Sequence, residues 1–384
     1  MLYRPNHRDA DRIFGLDLSK KTFKGCCLDS ASNFERHKSI QGLMNSAGQL
    51  KFISQLTERD WVAIEGGSSS SNFALSIIEN SKAQIFMLNP GKLQIIFRTS
   101  CKTDSKDAVK IAEILRDMHP SKWPLIPVPT RQEIEERSLV NEQIFYKKQR
   151  TSYINRLHSI FNLHGICDLK KSDLKEHEAR IALIEKHFAE SSAAYRTAMI
   201  ENDMINSVEL ALETIEDRIR EEIILAHPQE ALAWLSIPSV GLLTAAACIA
   251  YIGNGDRFDS AAQLRNYVGL LPYISQSGES FKSGGVTSYG CMPIRRNIMQ
   301  AAWNCANASY ANSLTDSWNE LKARNKKGQK AAVAIANKML TIGYALLKTG
   351  TIYHGCDNYE YLERKLKANK ITAIISCMNQ MLGR

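Results

Sequence analysis

The stretch Ile13-Phe14-Gly15-Leu16-Asp17-Leu18-Ser19-Lys20 determines how the first part of the chain folds. Its apolar residues form a run of the length that is typical of a buried strand, and the run carries one acid, Asp17. A carboxylate in a buried strand is costly unless it is paired or binds a metal ion. The stretch therefore predicts a buried strand and marks Asp17 as a candidate functional residue.

The segments that follow alternate between strand-like and helical patterns. Strands are predicted at 22–28, 33–40, 61–65 and 83–88, and helices at 43–56 and 73–80. This alternation predicts a mixed α/β sheet that is covered by helices on both faces. The serine run 68–71 is interpreted as a loop that caps the second helix rather than as a set of nucleophiles.

Two further places put acids at the ends of elements. Trp61-Val62-Ala63-Ile64-Glu65 is a second apolar run that ends on an acid. Lys102-Thr103-Asp104-Ser105-Lys106-Asp107-Ala108 opens a helical run over 109–118, and its two carboxylates lie on one face of the first turn. The alternative is a solvated first turn, because Asp is favoured at helix N-termini.

In a sheet of the ribonuclease-H kind, these strand ends and this helix start are neighbours, so that their acids can meet in one pocket. The four acids are Asp17, Glu65, Asp104 and Asp107. Such a set of carboxylates suits Mg²⁺ or Mn²⁺ rather than zinc. Two such ions activate an attacking oxygen and stabilise the leaving oxygen during phosphoryl transfer.

The middle of the chain, 131–227, is long, charged and poor in glycine. Apolar residues with the three-and-four spacing of a coiled-coil seam are Ile205, Val208, Leu212, Ile215, Ile219 and Ile223. We predict a pair of long helices that acts as a spacer or a dimer arm. Lys147, Lys148 and Arg150 either line a nucleic-acid path or form a solvated face.

The last part begins with Leu235-Ser236-Ile237-Pro238-Ser239-Val240-Gly241, followed by a helix of small residues at 242–252. This pattern fits a helix-hairpin-helix, whose backbone amides bind phosphate, and it fits an ordinary helical hairpin equally well. A polar loop is predicted at 273–279. Ser277 in that loop either stabilises a turn or acts as a nucleophile, which would require the acids of the first domain to approach it.

Length and composition limit the class of protein. The 384 residues allow two or three domains, and the net charge of +9 with a pI near 9.0 suggests a polyanionic partner, nucleic acid before membrane. The nine cysteines show no metal-binding spacing, which indicates reduced thiols. No run of about 18 apolar residues is recognised as a membrane span. These features predict a cytoplasmic protein associated with the nucleoid.

The chain resembles the DEDD transposases of bridge-RNA-guided insertion sequences, the group that includes the Piv site-specific invertases. The matching segments are Gly15-Leu16-Asp17-Leu18-Ser19-Lys20, Ile64-Glu65-Gly66-Gly67, Lys102 to Ala108, Ile237-Pro238-Ser239-Val240-Gly241, Tyr267-Val268-Gly269-Leu270-Leu271-Pro272, Gln276-Ser277-Gly278 and Arg295-Arg296. The resemblance implies a RuvC-like, ribonuclease-H-fold domain at 1–128, a helical coiled-coil region at 129–228 and a mostly helical C-terminal transposase domain at 229–384.

The resemblance also implies roles for residues and partners. The four acids would bind divalent metal, and Ser277 would attack DNA to form a covalent phosphoserine intermediate. Double-stranded target and donor DNA, a structured bridge RNA and a homo-oligomer, dimer or tetramer, are the implied partners. Two positions depart from the family pattern: Gly66 stands where Thr is usual, and Ser275 offers a second hydroxyl near Ser277.

Three functions are compatible with these features. The first is a DNA recombinase that cuts and rejoins strands without net hydrolysis. The second is a Mg²⁺-dependent, RuvC-like, structure-selective nuclease in which water replaces the serine. The third is a non-catalytic nucleic-acid-binding protein in which the acids are helix caps and the positive charge binds phosphate.

Overall fold

The computed structural model describes residues 10–67, 69–96, 104–277, 280–286, 289–306, 312–324, 327–353 and 358–382. The side chains of 94–96, 104–106, 272–277, 280–284 and 358 lie outside that description. The chain forms two compact units, Met1–Arg131 and Gln132–Arg384.

The first unit contains a six-stranded mixed sheet. Its strands are β1 Arg12–Leu18, β2 Thr22–Asp29, β3 His37–Leu43, β4 Asp60–Glu65, β5 Gln84–Leu88 and β6 Leu125–Ile126. Their order across the sheet is β3-β2-β1-β4-β5-β6. The first three strands are antiparallel, β4 and β5 run parallel to β1, and β6 is antiparallel to β5. The predicted mixed sheet is therefore confirmed, and its order is consistent with a ribonuclease-H-like domain.

Helices cover both faces of this sheet. They are α1 Ser46–Ile53, α2 Ser70–Asn80, α3 Pro90–Ile96 and α4 Asp104–Asp117. Buried residues of α1 and α2 pack with Phe14 and Leu16 on one face. Ala108, Ile111, Ala112 and Leu115 of α4 pack with Ile13, Trp61 and Ala63 on the other face. Residues alternate between the faces along each strand, as the strand repeat requires.

The third strand begins later than the sequence predicted. Asn33 and Phe34 have positive φ angles of 53° and 59°, which turn the chain before a strand can start. Strand β3 therefore begins at His37 instead of residue 33.

The second unit begins with long helices. They are α5 Arg131–Leu163, α6 His177–His187 and α7 Ala193–Ile219, which continues as a π-helical turn at Arg220–Ile224. Ion pairs Arg156–Glu201 at 2.8 Å and Arg150–Glu209 at 2.6 Å show that α5 and α7 lie antiparallel. The predicted pair of long helices is confirmed. Ile205, Val208, Ile219 and Ile223 of the apolar stripe are buried within the same chain.

The remainder of the second unit is mostly helical. Its elements are α8 Pro228–Leu235, α9 Leu242–Ile252, α10 Ala261–Val268, β7 Pro272–Ser277, β8 Ser280–Val286, α11 Met292–Cys305, α12 Ser313–Ala323, α13 Gly328–Thr349, α14 Asn358–Ala368 and α15 Ile375–Met381. Strands β7 and β8 form an antiparallel hairpin. The prediction of a polar loop at 273–279 was wrong for 273–277, because these residues belong to strand β7 and its backbone pairs with β8.

The hairpin between α8 and α9 is present, and its turn is buried. The amide of Ile237 donates to Trp234 O at 3.1 Å, and the amide of Val240 donates to Ile237 O at 3.2 Å. These amides are used inside the turn. The contacts therefore favour the ordinary helical hairpin over a phosphate-binding helix-hairpin-helix.

Helix α13 requires a correction to the membrane expectation. Among the described residues it is long and apolar enough to cross a membrane, with a mean hydropathy of 1.2 over 18 residues. The sequence interpretation missed it because Lys338 interrupts the apolar run. Ala332, Ile335, Met339 and Leu340 of this helix are buried in the core of the second unit, as expected for a core helix.

Candidate active site

Asp17 and Glu65 lie at the carboxyl ends of two adjacent parallel strands. In the register of β1 and β4, Leu16 is paired with Ile64, and the two acids are the next residue of each strand. Both acids are half-buried. The sheet thus brings these two predicted residues to the same level of the same edge.

The two acids also share a face of the sheet. Ile13 of β1 and Ala63 of β4 pack against α4, and residues two apart on a strand point to the same side. Asp17 and Glu65 therefore belong to the face that α4 covers. Phe14, Leu16 and Ile64 occupy the opposite face.

Helix α4 approaches β1 closely because Gly15 has no side chain. A Cβ atom built on Gly15 would lie 2.5 Å from the amide nitrogen of Ala112 and would also meet the carbonyl oxygen of Ala108. The other end of the helix is fixed by Arg116, whose Nη1 donates to Phe34 O at 3.1 Å near the start of β1. Helix α4 therefore runs antiparallel to β1, with its N-terminus toward Asp17.

This orientation places the other two predicted acids at the same edge. From Ala108 to the first residue of α4, Asp104, the helix advances about 6 Å, and from Gly15 to Asp17 the strand advances about 6 to 7 Å in the same direction. The backbone of Asp104 therefore reaches the level of Asp17. Asp107 directly precedes Ala108, whose carbonyl oxygen faces Gly15. The side chain of Asp107 is 29% exposed.

Two lysines accompany the acids. Lys24 is the cross-strand partner of Asp17 in the antiparallel pair of β1 and β2, which places it on the same face of the sheet. Lys110 Nζ lies 3.9 Å from Asp107 Oδ1, one helical turn along α4. The sequence interpretation did not include either lysine. Lys24 becomes a neighbour of Asp17 through the register of β1 and β2, which the local sequence pattern does not reveal.

The acid at the opposite edge of the sheet, Asp60, is paired with other protein groups. Asp60, at the start of β4, is fully buried and accepts hydrogen bonds from Arg12 Nε at 2.8 Å and Nη2 at 2.5 Å. The amide of Thr57 donates to the same carboxylate at 2.6 Å. This acid is neutralised by protein groups and has a structural role. The acids that the sequence marks as candidates for chemistry lie at the other, carboxyl edge.

The segment after Glu65 is held by contacts that the sequence interpretation missed. Ser70 is buried, and its hydroxyl donates to Glu65 O at 2.6 Å, which fixes the end of β4. The Gly66 amide donates to Leu88 O at 2.8 Å. A Cβ atom on Gly66 would lie 2.5 Å from Ile126 Cδ1, so glycine at this position leaves room for the side chain of β6.

The donor set fits a hard divalent cation in kind, because its members are carboxylates. Within the described side chains, which exclude Asp104, no group of three or more Asp, Glu, His or Cys residues is close enough to hold one ion. Carboxylates that share a site repel one another unless a cation lies between them. Asp17, Glu65 and Asp107 are all described and do not form such a group, so the fit rests on the shared edge and face of Asp17 and Glu65, with the start of α4 beside them.

The predicted serine lies in the other unit. Ser277 is the last residue of β7 and is paired with Ser280, while Ser275 is paired with Lys282. The side chains of both serines lie outside the described residues, so the choice between them stays a prediction.

Neither the described cysteines nor the groove between α5 and α7 contributes to this site. The seven described cysteines are free thiols, and burial raises the pKa of Cys26 and of Cys27 to about 11, which keeps them protonated and unreactive. A groove of about 530 Å³ is lined by both charge signs from α5 to α7, including Lys147, Arg150 and Glu209. None of the predicted site residues lines it.

Comparisons with known proteins identify the class of the chain. Residues 14–166 match a family model for the IS110-type DEDD domain, described as "Transposase", and residues 233–315 match the model described as "Transposase IS116/IS110/IS902 family". The first match contains all four predicted acids, and the second contains Ser277. The chain thus contains two segments that match domains of IS110-type transposases, and it is an enzyme of the transposase class.

Individual relatives agree with this class. A "Probable family 20 transposase" of Pseudomonas aeruginosa is 24% identical over 350 residues, which cover 88% of this chain and 97% of that protein. The "Pilin gene-inverting protein" of Moraxella bovis is 22% identical over 347 residues, 87% of this chain and 95% of that protein. An "Insertion element IS110 uncharacterized 43.6 kDa protein" of Streptomyces coelicolor is 31% identical over 128 residues, 33% of this chain and 31% of that protein.

Proposed function

We propose that this protein is a cytoplasmic, nucleoid-associated, RNA-guided DNA transposase that cuts and rejoins DNA through a serine-linked intermediate. The observation that carries the proposal is the placement of Asp17, Glu65 and the start of α4 at one edge and one face of the RuvC-like sheet. The two segments that match transposase family models, 14–166 and 233–315, support it.

In this proposal, the acids of the first unit hold Mg²⁺ or Mn²⁺. These acids are Asp17, Glu65, Asp104 and Asp107. A divalent cation bound there supplies charge stabilisation at the reacting phosphate. Gly15 acts indirectly, because its lack of a side chain lets α4 bring its first turn to the strand ends.

The proposed nucleophile is Ser277. Its hydroxyl oxygen forms an ester bond to the phosphorus of a DNA backbone phosphate, the hydroxyl proton passes to a base, and the displaced deoxyribose oxygen leaves with the electrons of the broken bond. Attack of a deoxyribose hydroxyl on the serine ester reverses these events and joins strands. Because one phosphate ester replaces another, the cycle needs no net hydrolysis and no external energy source.

The partners are proposals on the same basis. We propose target and donor double-stranded DNA, a structured bridge RNA that selects the sequences by base pairing, and a homo-oligomer in which acids of one subunit serve the serine of another. The three-part division at 1–128, 129–228 and 229–384 belongs to this proposal. The net charge of +9 supports a polyanionic partner.

The test is a covalent trapping experiment with the full chain. The protein is incubated with nicked DNA from the ends of its own element, with element-derived RNA, with Mg²⁺ or with EDTA, and protein-DNA adducts are resolved under denaturing conditions. We expect an adduct that requires Mg²⁺, that Ser277→Ala abolishes and that Ser275→Ala retains. Asp107→Asn should abolish it as well, since an amide binds the cation poorly.

Other outcomes would identify other functions. Adduct retained in Ser277→Ala and lost in Ser275→Ala would move the nucleophile to Ser275. Mg²⁺-dependent cleavage without any adduct would indicate a nuclease that uses water, and binding that is indifferent to Mg²⁺ without cleavage would indicate a non-catalytic protein. Sequencing of nucleic acid that copurifies with the chain tests RNA guidance, and random fragments alone would contradict it.

A further inference from the structure

The positive charge of this chain is concentrated in one part of the second unit. Residues 280–356 contain ten lysines and arginines but two acids, Asp316 and Glu320, which gives this segment a net charge of +8. The whole chain has a net charge of +9. The other residues are therefore almost neutral in sum, and the segment that forms β8 and α11 to α13 is the one suited to a polyanion.

Helix α11 presents one face to solvent within this segment. Ile294, Ile298, Ala302 and Cys305 are buried in the core. The exposed residues, spaced three or four apart, are Met292, Arg296, Gln300, Trp303 and Asn304. The helix contains no acid, and the polar members of this face are side chains that hydrogen-bond to phosphates and base edges.

Two adjacent arginines on α11 have different surroundings. Arg295 donates from Nε to Val268 O at 3.1 Å and from Nη2 to Gly269 O at 2.7 Å, and it also contacts Tyr289 O. Arg295 therefore caps the carbonyl groups at the C-terminal end of α10. Arg296 is exposed, and no acid in the part of the chain that the structure describes forms an ion pair with it. Arg296 has the freedom to bind a phosphate, whereas Arg295 is committed to the fold.

Trp303 is held in place although it is 40% exposed. Its ring lies 5.4 Å from the ring of Trp318, with a 59° angle between the planes. A Cβ atom on Gly328 would lie 2.8 Å from Trp303 Cη2, so the start of α13 lies against the ring edge. A ring that is fixed on two sides and open to solvent is a suitable platform for base stacking.

We propose that the exposed face of α11 is a DNA-binding surface on which Arg296 binds a backbone phosphate and Trp303 stacks on an unpaired base. The inference rests on the proposed function, in which DNA strands are opened and exchanged. An aromatic platform contributes only where a base is out of its pair, which is the condition of DNA during strand exchange. The basic side chain of Arg296, about two helical turns from Trp303, holds the adjacent backbone.

The test is a DNA-binding titration of the full chain by fluorescence anisotropy in EDTA, so that its result does not depend on strand cleavage. The probes are a fully paired duplex, the same duplex with one unpaired base, and an RNA hairpin of the same length. We expect Trp303→Ala to weaken binding of the unpaired-base duplex by about 5- to 100-fold and to leave the fully paired duplex unchanged. Trp303→Phe, which keeps an aromatic face, should recover most of the affinity.

Arg296→Ala should weaken binding of both DNA probes several-fold. It should also reduce the slope of the logarithm of the binding constant against the logarithm of the salt concentration by about the amount expected for one phosphate contact. Lys171→Ala, an exposed lysine between α5 and α6, is the matched control and should change neither probe. Wild-type affinity in both α11 variants, or a loss confined to the RNA hairpin, would overturn the proposal. Because DNA binding is measured without Mg²⁺, a negative binding result does not affect the covalent trapping experiment. Likewise, failure to trap an adduct does not affect the binding measurement.

Discussion

Lys24 lies directly across from Asp17 in the antiparallel pair of β1 and β2. Directly opposed residues of such a pair have Cβ atoms about 4.5 to 5.5 Å apart on the same face of the sheet. A positive side chain is therefore part of the acidic edge where α4 begins. If the acids hold a divalent cation, as we propose, this positive charge lowers their affinity for it.

The first prediction concerns this charge. Lys24→Gln should increase the affinity of the protein for Mg²⁺ several-fold, because removal of a unit charge at this distance from the acids is worth about 1 kcal/mol. Isothermal titration calorimetry of Mg²⁺ or Mn²⁺ measures the change. Lys38→Gln is the control, since Lys38 pairs with Cys27, which belongs to the opposite face. An unchanged affinity in Lys24→Gln, or an equal change in both variants, would contradict the prediction.

The second prediction concerns Gly15. Gly15→Ala should destabilise the first unit by about 3 kcal/mol and abolish Mg²⁺ binding, because its Cβ atom meets backbone atoms of α4 that have no alternative position. Urea unfolding and the same calorimetric titration check both effects. In Gly67→Ala, the new Cβ atom would lie 3.4 Å from Ser70 Oγ, an ordinary contact, and stability should change by about 0.5 kcal/mol or less. Equal stability of the two variants would show that α4 can move away from β1 without cost.

The sheet was predictable from sequence because short apolar runs and period-two alternation indicate its strands. β2, β4 and β5 differ from their predicted bounds by one residue at an end, whereas β1 starts one residue earlier and ends two residues earlier than the predicted stretch 13–20. The late start of β3 depends on positive φ angles at Asn33 and Phe34. Because neither residue is a glycine, the sequence does not predict this turn. Strand β6 has two residues, too few for any periodic pattern.

The positions of the candidate acids were partly predictable for a similar reason. Acids that end apolar runs mark strand ends, which placed Asp17 and Glu65 correctly at one edge. The groups that support them are not visible in this way. Lys24 becomes a neighbour of Asp17 only through the register of β1 and β2, and the contact of the Ser70 hydroxyl with Glu65 O depends on the loop path. Register and loop path are set by tertiary packing and not by local pattern.

The third prediction concerns His227, which joins α8 to α5. His227 Nε2 lies 2.7 Å from Glu136 Oε1, and the hydrogen bond to this nearly buried carboxylate raises the pKa of the histidine. A raised pKa in the folded state means that the contribution to stability is complete below about pH 6.5 and is lost as the pH rises through the folded-state value. His227→Gln should therefore destabilise the second unit by about 1 kcal/mol at pH 5.5 and by much less at pH 8.5.

Urea unfolding of the wild type and of His227→Gln at both pH values measures this difference. His158→Gln is the control, because His158 Nε2 lies 2.9 Å from the neutral carbonyl oxygen of Leu169. A destabilisation by His227→Gln that is the same at pH 5.5 and pH 8.5 would show that the ion pair does not form.

The last prediction concerns Lys365 of α14, whose Nζ donates to Leu235 O at 2.6 Å at the end of α8. Burial lowers the pKa of this lysine to about 7, whereas an exposed lysine keeps its proton up to about pH 10.5. Between these values the unfolded chain binds more protons than the folded chain, so the contribution of Lys365 to stability rises with pH, by up to about 1.4 kcal/mol per pH unit. Lys365→Met should remove this contribution, and the difference in unfolding free energy between variant and wild type should therefore change steadily from pH 7 to pH 9.5.

Lys367→Met is the control, because Lys367 is exposed and pairs with Glu363 at 2.7 Å. Parallel pH profiles for the wild type and Lys365→Met would show that the buried amine stays charged throughout this range.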